Sequence, residues 1–132
     1  MANELKGNAP LVQVEHLKKY FQVGRGKVLH AVDDVTFSIP KGTTLGLVGE
    51  SGCGKTTVGR TLVGLYQPDG GKITFDGQDI THLKGKEKRA ITRRMQMVYQ
   101  DPYASLNPFF TVGEIITEGL EIHNIGESKK ER

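Results

Sequence analysis

The residue types best suited to do chemistry stand in one glycine-rich loop, residues 49–56, which reads Gly-Glu-Ser-Gly-Cys-Gly-Lys-Thr. It fits G-x-x-x-x-G-K-[ST] at every fixed position. Glycines allow such a loop to wrap a polyphosphate with its backbone N–H groups turned inward. An apolar stretch, residues 44–48, precedes the loop, and a helical pattern begins near Lys55, so a helix N-terminus would attract the same anion. The loop therefore predicts a phosphate-binding site.

Two residues of the loop have specific expected roles. Lys55 would supply a mobile cation to the β- and γ-phosphates, and the hydroxyl of Thr56 is a candidate ligand of Mg²⁺. Cys53 is interpreted as a small residue that fits the loop, and an adduct on its thiol is expected to block nucleotide binding. The residues expected to contact the nucleotide here are Gly49, Glu50, Ser51, Gly52, Cys53, Gly54, Lys55 and Thr56.

The flanking sequence predicts a mixed α/β chain that would position this loop. Val35, Phe37 and Ile39 alternate with polar residues, which is the period of a half-buried strand. Residues 68–71 and 76–77 predict turns, the second of them within a hairpin. Strands are predicted over residues 11–17, 28–32, 35–39, 44–48 (as a buried parallel strand), 73–75 and 95–99. Helices are predicted over residues 55–65, 84–94 and 112–120.

Composition narrows the class of protein. The 132 residues have room for one ordinary domain, and 36% hydrophobic with 25% charged residues indicates a globular chain. A net charge of +3 is too mild to require a nucleic-acid partner. The single cysteine excludes an intrachain disulfide framework. No apolar run approaches the ~20 residues that cross a bilayer, and the first residues lack the pattern of a signal peptide.

Two further sets of residues have plain structural interpretations. The four histidines show no metal-ligand spacing. They are His16, His30, His82 and His123. A basic cluster is expected to form a solvated helix face, with contact to acidic lipid headgroups or to a partner as the alternative. Its members are Lys84, Lys86, Lys88, Arg89, Arg93 and Arg94.

The segments around the loop point to one family of P-loop proteins. P-loops serve kinases, GTPases, helicases and transporters, so the motif alone does not choose among them. Residues 14–21, 31–39, the loop itself and 111–116 resemble the ATP-binding subunits of ABC transporters. Residues 97–108, Met-Val-Tyr-Gln-Asp-Pro-Tyr-Ala-Ser-Leu-Asn-Pro, are similar to the Q-loop region of the subunits that power oligopeptide and dipeptide import. The resemblance runs from Leu11 onward.

The resemblance implies a fold and a domain organisation. The expected fold is α/β, a P-loop NTPase of ABC type with an antiparallel β subdomain and a truncated helical subdomain. Residues 1–10 would form a flexible N-terminal lead-in. Residues 11–110 would form the nucleotide-binding core from P-loop to Q-loop, and residues 111–132 the start of the helical subdomain.

The resemblance also implies contacts to the base and the α-phosphate. Tyr20 matches the aromatic residue that stacks on adenine, which is chemically sensible because any aromatic face can hold a base. Phe21 is the competing candidate, and an aromatic packed in the core is the structural alternative for Tyr20. Thr57 matches a contact to the α-phosphate.

A glutamine after the loop completes the implied catalytic site. Gln100 matches the Q-loop glutamine that reaches magnesium and the attacking water, with a polar residue at a strand end as the alternative. Lys55 and Gln100 are therefore the expected catalytic residues, and Thr56 and Gln100 the expected metal ligands. Residues 101–106 would face the membrane subunits and relay the nucleotide state to them.

The implied function is an ATP-binding subunit that powers ABC-type import of oligopeptides or dipeptides, with ATP and Mg²⁺ as cofactors. Its partners would be two integral-membrane permease subunits, a second ATP-binding subunit and, indirectly, an extracytoplasmic solute-binding protein, without nucleic acid. Its place would be the cytoplasmic face of the cell membrane. The alternatives are an importer for nickel or another small solute, a different P-loop enzyme such as a kinase, and a non-hydrolysing ATP-binding fragment. A GTPase is disfavoured because the sequence lacks Asn/Thr-Lys-x-Asp.

The sequence departs from the family pattern after the Q-loop. It contains no signature Leu-Ser-Gly-Gly-Gln, no later apolar strand that ends in Asp and the catalytic Glu, and no switch histidine beyond them. The parent protein is expected to be an ATP hydrolase, and this chain to be inactive alone, since the Glu that polarises water is absent. Apolar surface is expected to be exposed beside residues 44–48.

Overall fold

The computed structural model describes residues 9–126 and residue 128. Most of the expected lead-in, residues 1–10, lies outside this range. The described residues form two compact units, one that ends at Met97 and one that begins at Val98. The functional division expected at residue 110 does not coincide with this boundary and stays a prediction.

An antiparallel sheet forms the framework of the first unit. Its strands are β1 (Val12–Gln22), β2 (Val28–Ile39), β3 (Gly70–Phe75) and β4 (Gln78–Asp79), in the order β2-β1-β3-β4. All three pairings are antiparallel. A two-residue turn at Asp76 and Gly77 joins β3 to β4, with φ of 50° and 79°. Both values lie in the left-handed region that this hairpin turn requires, as the Asp-Gly pair predicts.

The core lies between the sheet and two helices, α1 (Lys55–Leu62) and α2 (Gly85–Arg94). Fully burying an aliphatic or aromatic side chain of this size is worth about 1.5–3 kcal/mol. Every strand but the short β4 contributes to this core, and each helix contributes one residue. The buried hydrophobic residues are Val12, Val14, Leu17, Val32, Val58, Ile73, Phe75 and Ile91.

The two strands expected at 28–32 and 35–39 are one continuous strand, so this part of the sequence-based prediction is wrong. The register between β1 and β2 shifts between Leu17↔Val35 and Lys19↔Val32, a bulge that adds a residue to β2. Asp34 takes a φ of 56° at the bulge. The extra residue interrupts the inside–outside alternation, which the sequence pattern shows as a gap between strands.

The strands expected at 44–48 and 95–99 do not form, which corrects two further predictions. Among the described residues neither segment pairs with another strand. The side chains of residues 44–48 are instead exposed, with Leu45, Leu47 and Val48 exposed to 46%, 49% and 94%. An apolar run has the composition of a buried strand but becomes one only beside neighbouring strands that pair with its backbone.

The second unit is helical where it is regular, with α3 (Pro102–Ser105) and α4 (Val112–Ile122). The helix expected over 112–120 is therefore present. Thr111 caps α4: its hydroxyl accepts from the Glu114 N–H, and the Glu114 carboxylate accepts from the Thr111 N–H at 2.8 Å. Such a reciprocal cap satisfies two orphan donors of the first turn. Within the described ranges no helix is both long and apolar enough to cross a membrane.

Candidate functional site

The glycine-rich loop meets α1 at a backbone conformation that only glycine adopts freely. Gly52 and Gly54 have φ of 81° and 96°. Gly54 is the N-cap of α1, and no side chain caps the helix there. A Cβ on Gly54 would lie 2.2 Å from the carbonyl oxygen of Ala31 in β2. The loop is therefore pressed against β2, with the uncapped N-terminus of α1 open to an anion.

Lys55 lies folded over the loop from which it comes. Its Nζ donates to the carbonyl oxygens of Gly49 and Glu50 at 2.7 and 2.6 Å. It also lies 3.5 Å from the Cys53 Sγ. The Lys55 ammonium thus contacts Gly49, Glu50 and Cys53 of its own loop. A phosphate bound in the loop would offer this ammonium stronger, charge-assisted hydrogen bonds than the two carbonyl oxygens do.

A cleft of about 320 Å³ opens beside the loop. This volume lies at the lower end of the range for small-molecule pockets. Residues of the loop and α1 form one side: Gly52, Cys53, Gly54, Lys55, Thr56 and Thr57. Residues of β1 and β2 form the other: Phe21, Leu29, His30 and Ala31. The expected contacts from Gly52 to Thr57 and the competing aromatic Phe21 therefore share one cleft, whereas Gly49, Glu50 and Ser51 are not among its lining residues.

Tyr20 lies next to the cleft without lining it. Its ring stacks on His30, with centroids 4.1 Å apart and planes at 24°. Its hydroxyl donates to the Asp33 carboxylate at 2.6 Å, and this hydrogen bond is the main cause that raises the pKa of Tyr20 to about 12. The same bond lowers the pKa of Asp33. The roles of Tyr20 and Phe21 towards adenine stay predictions.

His30 lines the cleft, although the sequence predicts no role for it there. In the sequence it is one of four histidines without metal-ligand spacing. Its significance comes from the cross-strand pair Tyr20↔His30, which places the two rings side by side. Pairing of residues 11–22 with 28–39 could have suggested this neighbour, but the bulge near Asp34 makes the register hard to read from sequence.

The described part of the chain holds no cluster of three or more His, Cys, Asp or Glu side chains that could bind a metal. The role of the Thr56 hydroxyl as a ligand of Mg²⁺ stays a prediction. Gln100 belongs to the second unit and is exposed. Its expected roles at magnesium and at the attacking water stay predictions.

Comparison with known proteins decides the family. The family described as ABC transporter matches residues 32–132, which is most of the chain. This chain belongs to the ABC transporter family. Among its curated relatives are two oligopeptide transport ATP-binding proteins of Bacillus subtilis strain 168. OppF is 52% identical over 92% of the chain and AppF 48% over 87%.

The chain spans about 37–40% of the length of those relatives. A solved structure, the ATP-binding cassette MJ0796 bound to ADP and Pi in a dimeric post-hydrolysis state, matches 91% of the chain with a TM-score of 0.76. The chain covers 51% of that cassette at 24% identity, so the match concerns the fold alone. It confirms the expected α/β fold of ABC type.

Proposed function

We propose that this chain is part of an ATP-binding subunit that powers ABC-type import of oligopeptides or dipeptides. The observation that carries the proposal is the loop at residues 49–56, which leads into the uncapped N-terminus of α1 beside a cleft of about 320 Å³. Supporting the peptide cargo, OppF and AppF, both named for oligopeptide transport, are about half identical to this chain.

Each part of the cleft has a task in binding the nucleotide. The backbone N–H groups of the loop and of the first turn of α1 hold the phosphates. Lys55 leaves its carbonyl contacts for the β- and γ-phosphates, and Thr57 contacts the α-phosphate. The Thr56 hydroxyl is a ligand of Mg²⁺, and Tyr20 or Phe21 holds the base. When bound, ATP supplies the phosphoryl group whose hydrolysis drives transport.

In the longer protein, Gln100 would orient water and magnesium while Lys55 holds the γ-phosphate. Residues 101–106 would contact the two permease subunits. Tyr103 and Leu106 in this segment expose 88% and 50% of their surface. We further propose that the subunit works at the cytoplasmic face of the membrane. Its other partners there are a second ATP-binding subunit and, indirectly, the solute-binding protein.

Calorimetric titration with Mg-ATP tests the phosphate site. Lys55→Ala is expected to weaken binding about ten- to hundredfold, because hydrogen bonds to charged groups are worth about 1.5–3 kcal/mol. Lys86→Ala removes the same charge from the exposed surface of α2, and we expect it to bind as the unchanged chain does. Circular dichroism establishes that each variant is folded. A folded Lys55→Ala chain with unchanged affinity would contradict the proposed site.

A further inference from the structure

The positive charge of the chain is concentrated on α2 and on Lys84, its N-cap. Residues 84–94 contain six basic residues and one acidic residue, Glu87, which gives this segment a formal charge of +5. The whole chain has a net charge of only +3, so its remaining residues together are slightly acidic. The mild overall charge therefore hides a strongly basic surface element.

The outer face of α2 consists of cations. Ile91 is buried on the side of the helix that packs on the core. At about 100° per residue, Lys86, Arg89 and Arg93 lie opposite Ile91, within about 60° of one another around the helix axis. All three residues are exposed. They are called the α2 stripe below.

Two other cations of the cluster already have contacts. Arg94 forms an ion pair with Asp76 and lies over the Phe75 ring, 4.9 Å from its centroid. Lys88 is half-buried, and its side chain lies beside Gly64. None of the ion pairs among the described residues involves a residue of the α2 stripe. The stripe is therefore available to an anion from outside the chain.

The α2 stripe also repels itself. Lys86 and Arg89 are three residues apart and Arg89 and Arg93 four, the spacings at which like charges on a helix destabilise it. No acidic residue stands three or four positions from any of them, where it would offset this repulsion. An anionic surface would supply the countercharge that the sequence of α2 lacks.

A flat anionic surface suits the α2 stripe better than a nucleic acid does. The stripe runs about 10 Å along one side of a straight helix, so its three cations can meet a plane together. It contains no aromatic side chain, whereas proteins that hold single-stranded nucleic acid combine cations with aromatic rings on which bases stack. The membrane at which the subunit is proposed to work offers such a surface, because its anionic lipids give it a negative potential.

We propose that the α2 stripe binds the anionic phospholipid headgroups of the membrane at which the subunit works. The choice of a membrane rests on the proposed function, whereas the cationic face of α2 does not. Ammonium and guanidinium groups donate charge-assisted hydrogen bonds to phosphate oxygens. Each Lys or Arg near an anionic membrane strengthens binding about fivefold. This contact holds the subunit at the membrane in addition to its contacts with the permease subunits.

Sedimentation with lipid vesicles tests the proposal. The chain is mixed with vesicles of phosphatidylcholine and phosphatidylglycerol, and separately with vesicles of phosphatidylcholine alone. At low ionic strength we expect it to bind the anionic vesicles only. This binding should disappear at an ionic strength of about 1 M, where the Debye length is about 3 Å. The triple variant Lys86→Gln, Arg89→Gln, Arg93→Gln should bind the anionic vesicles about a hundredfold more weakly.

Two further variants separate the α2 stripe from the net charge of the chain. A matched triple variant removes three exposed cations that lie outside α2. Its substitutions are Arg25→Gln, Lys27→Gln and Lys41→Gln. This variant should bind the anionic vesicles nearly as well as the unchanged chain does. Exchanging lysine and arginine within the stripe keeps its charge and should keep the binding. Circular dichroism establishes that each variant is folded.

Three outcomes would overturn the inference. The first is a folded, unchanged chain that does not bind anionic vesicles at low ionic strength. The second is an equal loss of binding in the two triple glutamine variants, which would assign the effect to net charge. The third is binding to a mixed-sequence DNA duplex without binding to vesicles, which would assign the stripe to nucleic acid.

Calorimetry with Mg-ATP on the same preparations separates this inference from the proposed function. The triple glutamine variant of the α2 stripe should bind Mg-ATP as the unchanged chain does, because α2 does not line the cleft. A chain that binds Mg-ATP but no anionic vesicles would keep the proposed function and lose this inference. The reverse result would contradict the phosphate site and leave the lipid contact standing.

Discussion

Two glycines of the phosphate loop share a left-handed backbone but differ in their surroundings. We expect Gly54→Ala to lower the free energy of unfolding by at least 1 kcal/mol more than Gly52→Ala. Both variants bear the roughly 1–2 kcal/mol of a side chain in the left-handed region. Only at Gly54 would the Cβ also collide with a backbone atom, the Ala31 carbonyl oxygen at 2.2 Å, whereas nothing lies within 4 Å at Gly52. Urea unfolding followed by circular dichroism measures both.

The same pair separates stability from binding. Tripolyphosphate affinity in Gly54→Ala should fall together with stability, because the collision moves the loop away from β2. Equal stability of the two variants would show that the approach of Gly54 to Ala31 does not constrain the loop in solution.

Cys53 offers a chemical probe of the same loop. Its exposed thiol lies 3.5 Å from the Lys55 Nζ and lines the cleft. Stoichiometric alkylation is expected to abolish ATP binding, since an adduct would occupy the volume where the phosphates lie. Calorimetry before and after alkylation, with mass spectrometry to count adducts, gives the answer. Cys53→Ser should keep its affinity for ATP after the same treatment. Full ATP binding by the alkylated chain would contradict the expectation that an adduct on Cys53 blocks the phosphate site.

At the residue scale, the sequence predicts what is local. Lys55 and Thr56 are recognisable because their loop of eight consecutive residues has four positions of set type at fixed spacing. His30 is not, since its place beside Tyr20 depends on a register between two strands and on a bulge. Phe21 and Tyr20 are adjacent in β1, so alternation sends them to opposite faces, and only the orientation of the strand decides which faces the cleft.

One buried hydroxyl joins β3 to the segment after β4. Thr81 is 8% exposed, and its Oγ1 accepts from the Ile73 N–H at 3.0 Å while it donates to the Asp79 carboxylate at 2.6 Å. Thr81→Val keeps the shape of the side chain but leaves that buried N–H without an acceptor. We expect a loss of about 1–3 kcal/mol in the free energy of unfolding.

A matched substitution in β3, next to Ile73, provides the control. Thr74→Val removes a half-buried hydroxyl of β3 that makes no hydrogen bond within the described residues, so the change should stay within about 0.5 kcal/mol. Equal effects of the two substitutions in urea unfolding would mean that the Thr81 hydroxyl is not needed as an acceptor in the folded state.

At the element scale, prediction succeeds where an element is complete by itself. The helix Val112–Ile122 has its apolar residues and its capping pair within one stretch of sequence. The hairpin turn at residues 76–77 is likewise specified by two adjacent residues. The segment 44–48 fails as a strand for the opposite reason: its residues are suited to a sheet interior, but a strand forms only when other segments pair with it.

Acid sensitivity belongs to the whole first unit, because four aspartates depend on contacts from different elements. The pKa of each carboxyl lies below its ordinary value, mainly because of one hydrogen bond. The donor is the Tyr20 hydroxyl for Asp33, the Tyr20 backbone N–H for Asp69, the Arg94 guanidinium for Asp76 and the Thr81 hydroxyl for Asp79. A carboxylate whose folded-state pKa lies below its unfolded value stabilises the fold above the unfolded value, about 3.9. That stability disappears as the pH falls through the folded pKa.

The free energy of unfolding should therefore be nearly level from pH 7 to about 5 and fall below about 4. Asp69 tests this best, because it accepts from the Tyr20 N–H at 2.7 Å and from the Lys19 Nζ at 2.9 Å and so joins the start of β3 to β1. Asp69→Asn should be about 0.5–1 kcal/mol less stable at pH 7, the scale of an exposed ion pair. As the pH falls through the lowered folded-state pKa of Asp69, the difference should shrink.

Urea unfolding of both chains at pH 7, 4 and 2 measures that convergence. Glu118→Gln, an equal charge change at an exposed position in the middle of α4, should run parallel to the unchanged chain throughout. If the Asp69→Asn deficit were the same at every pH, its cause would be the geometry of the hydrogen bonds rather than the charge of the carboxylate. A shrinking deficit would instead attribute part of the acid sensitivity of the sheet to the junction between β1 and β3, where Asp69 lies beside the strand that carries Tyr20.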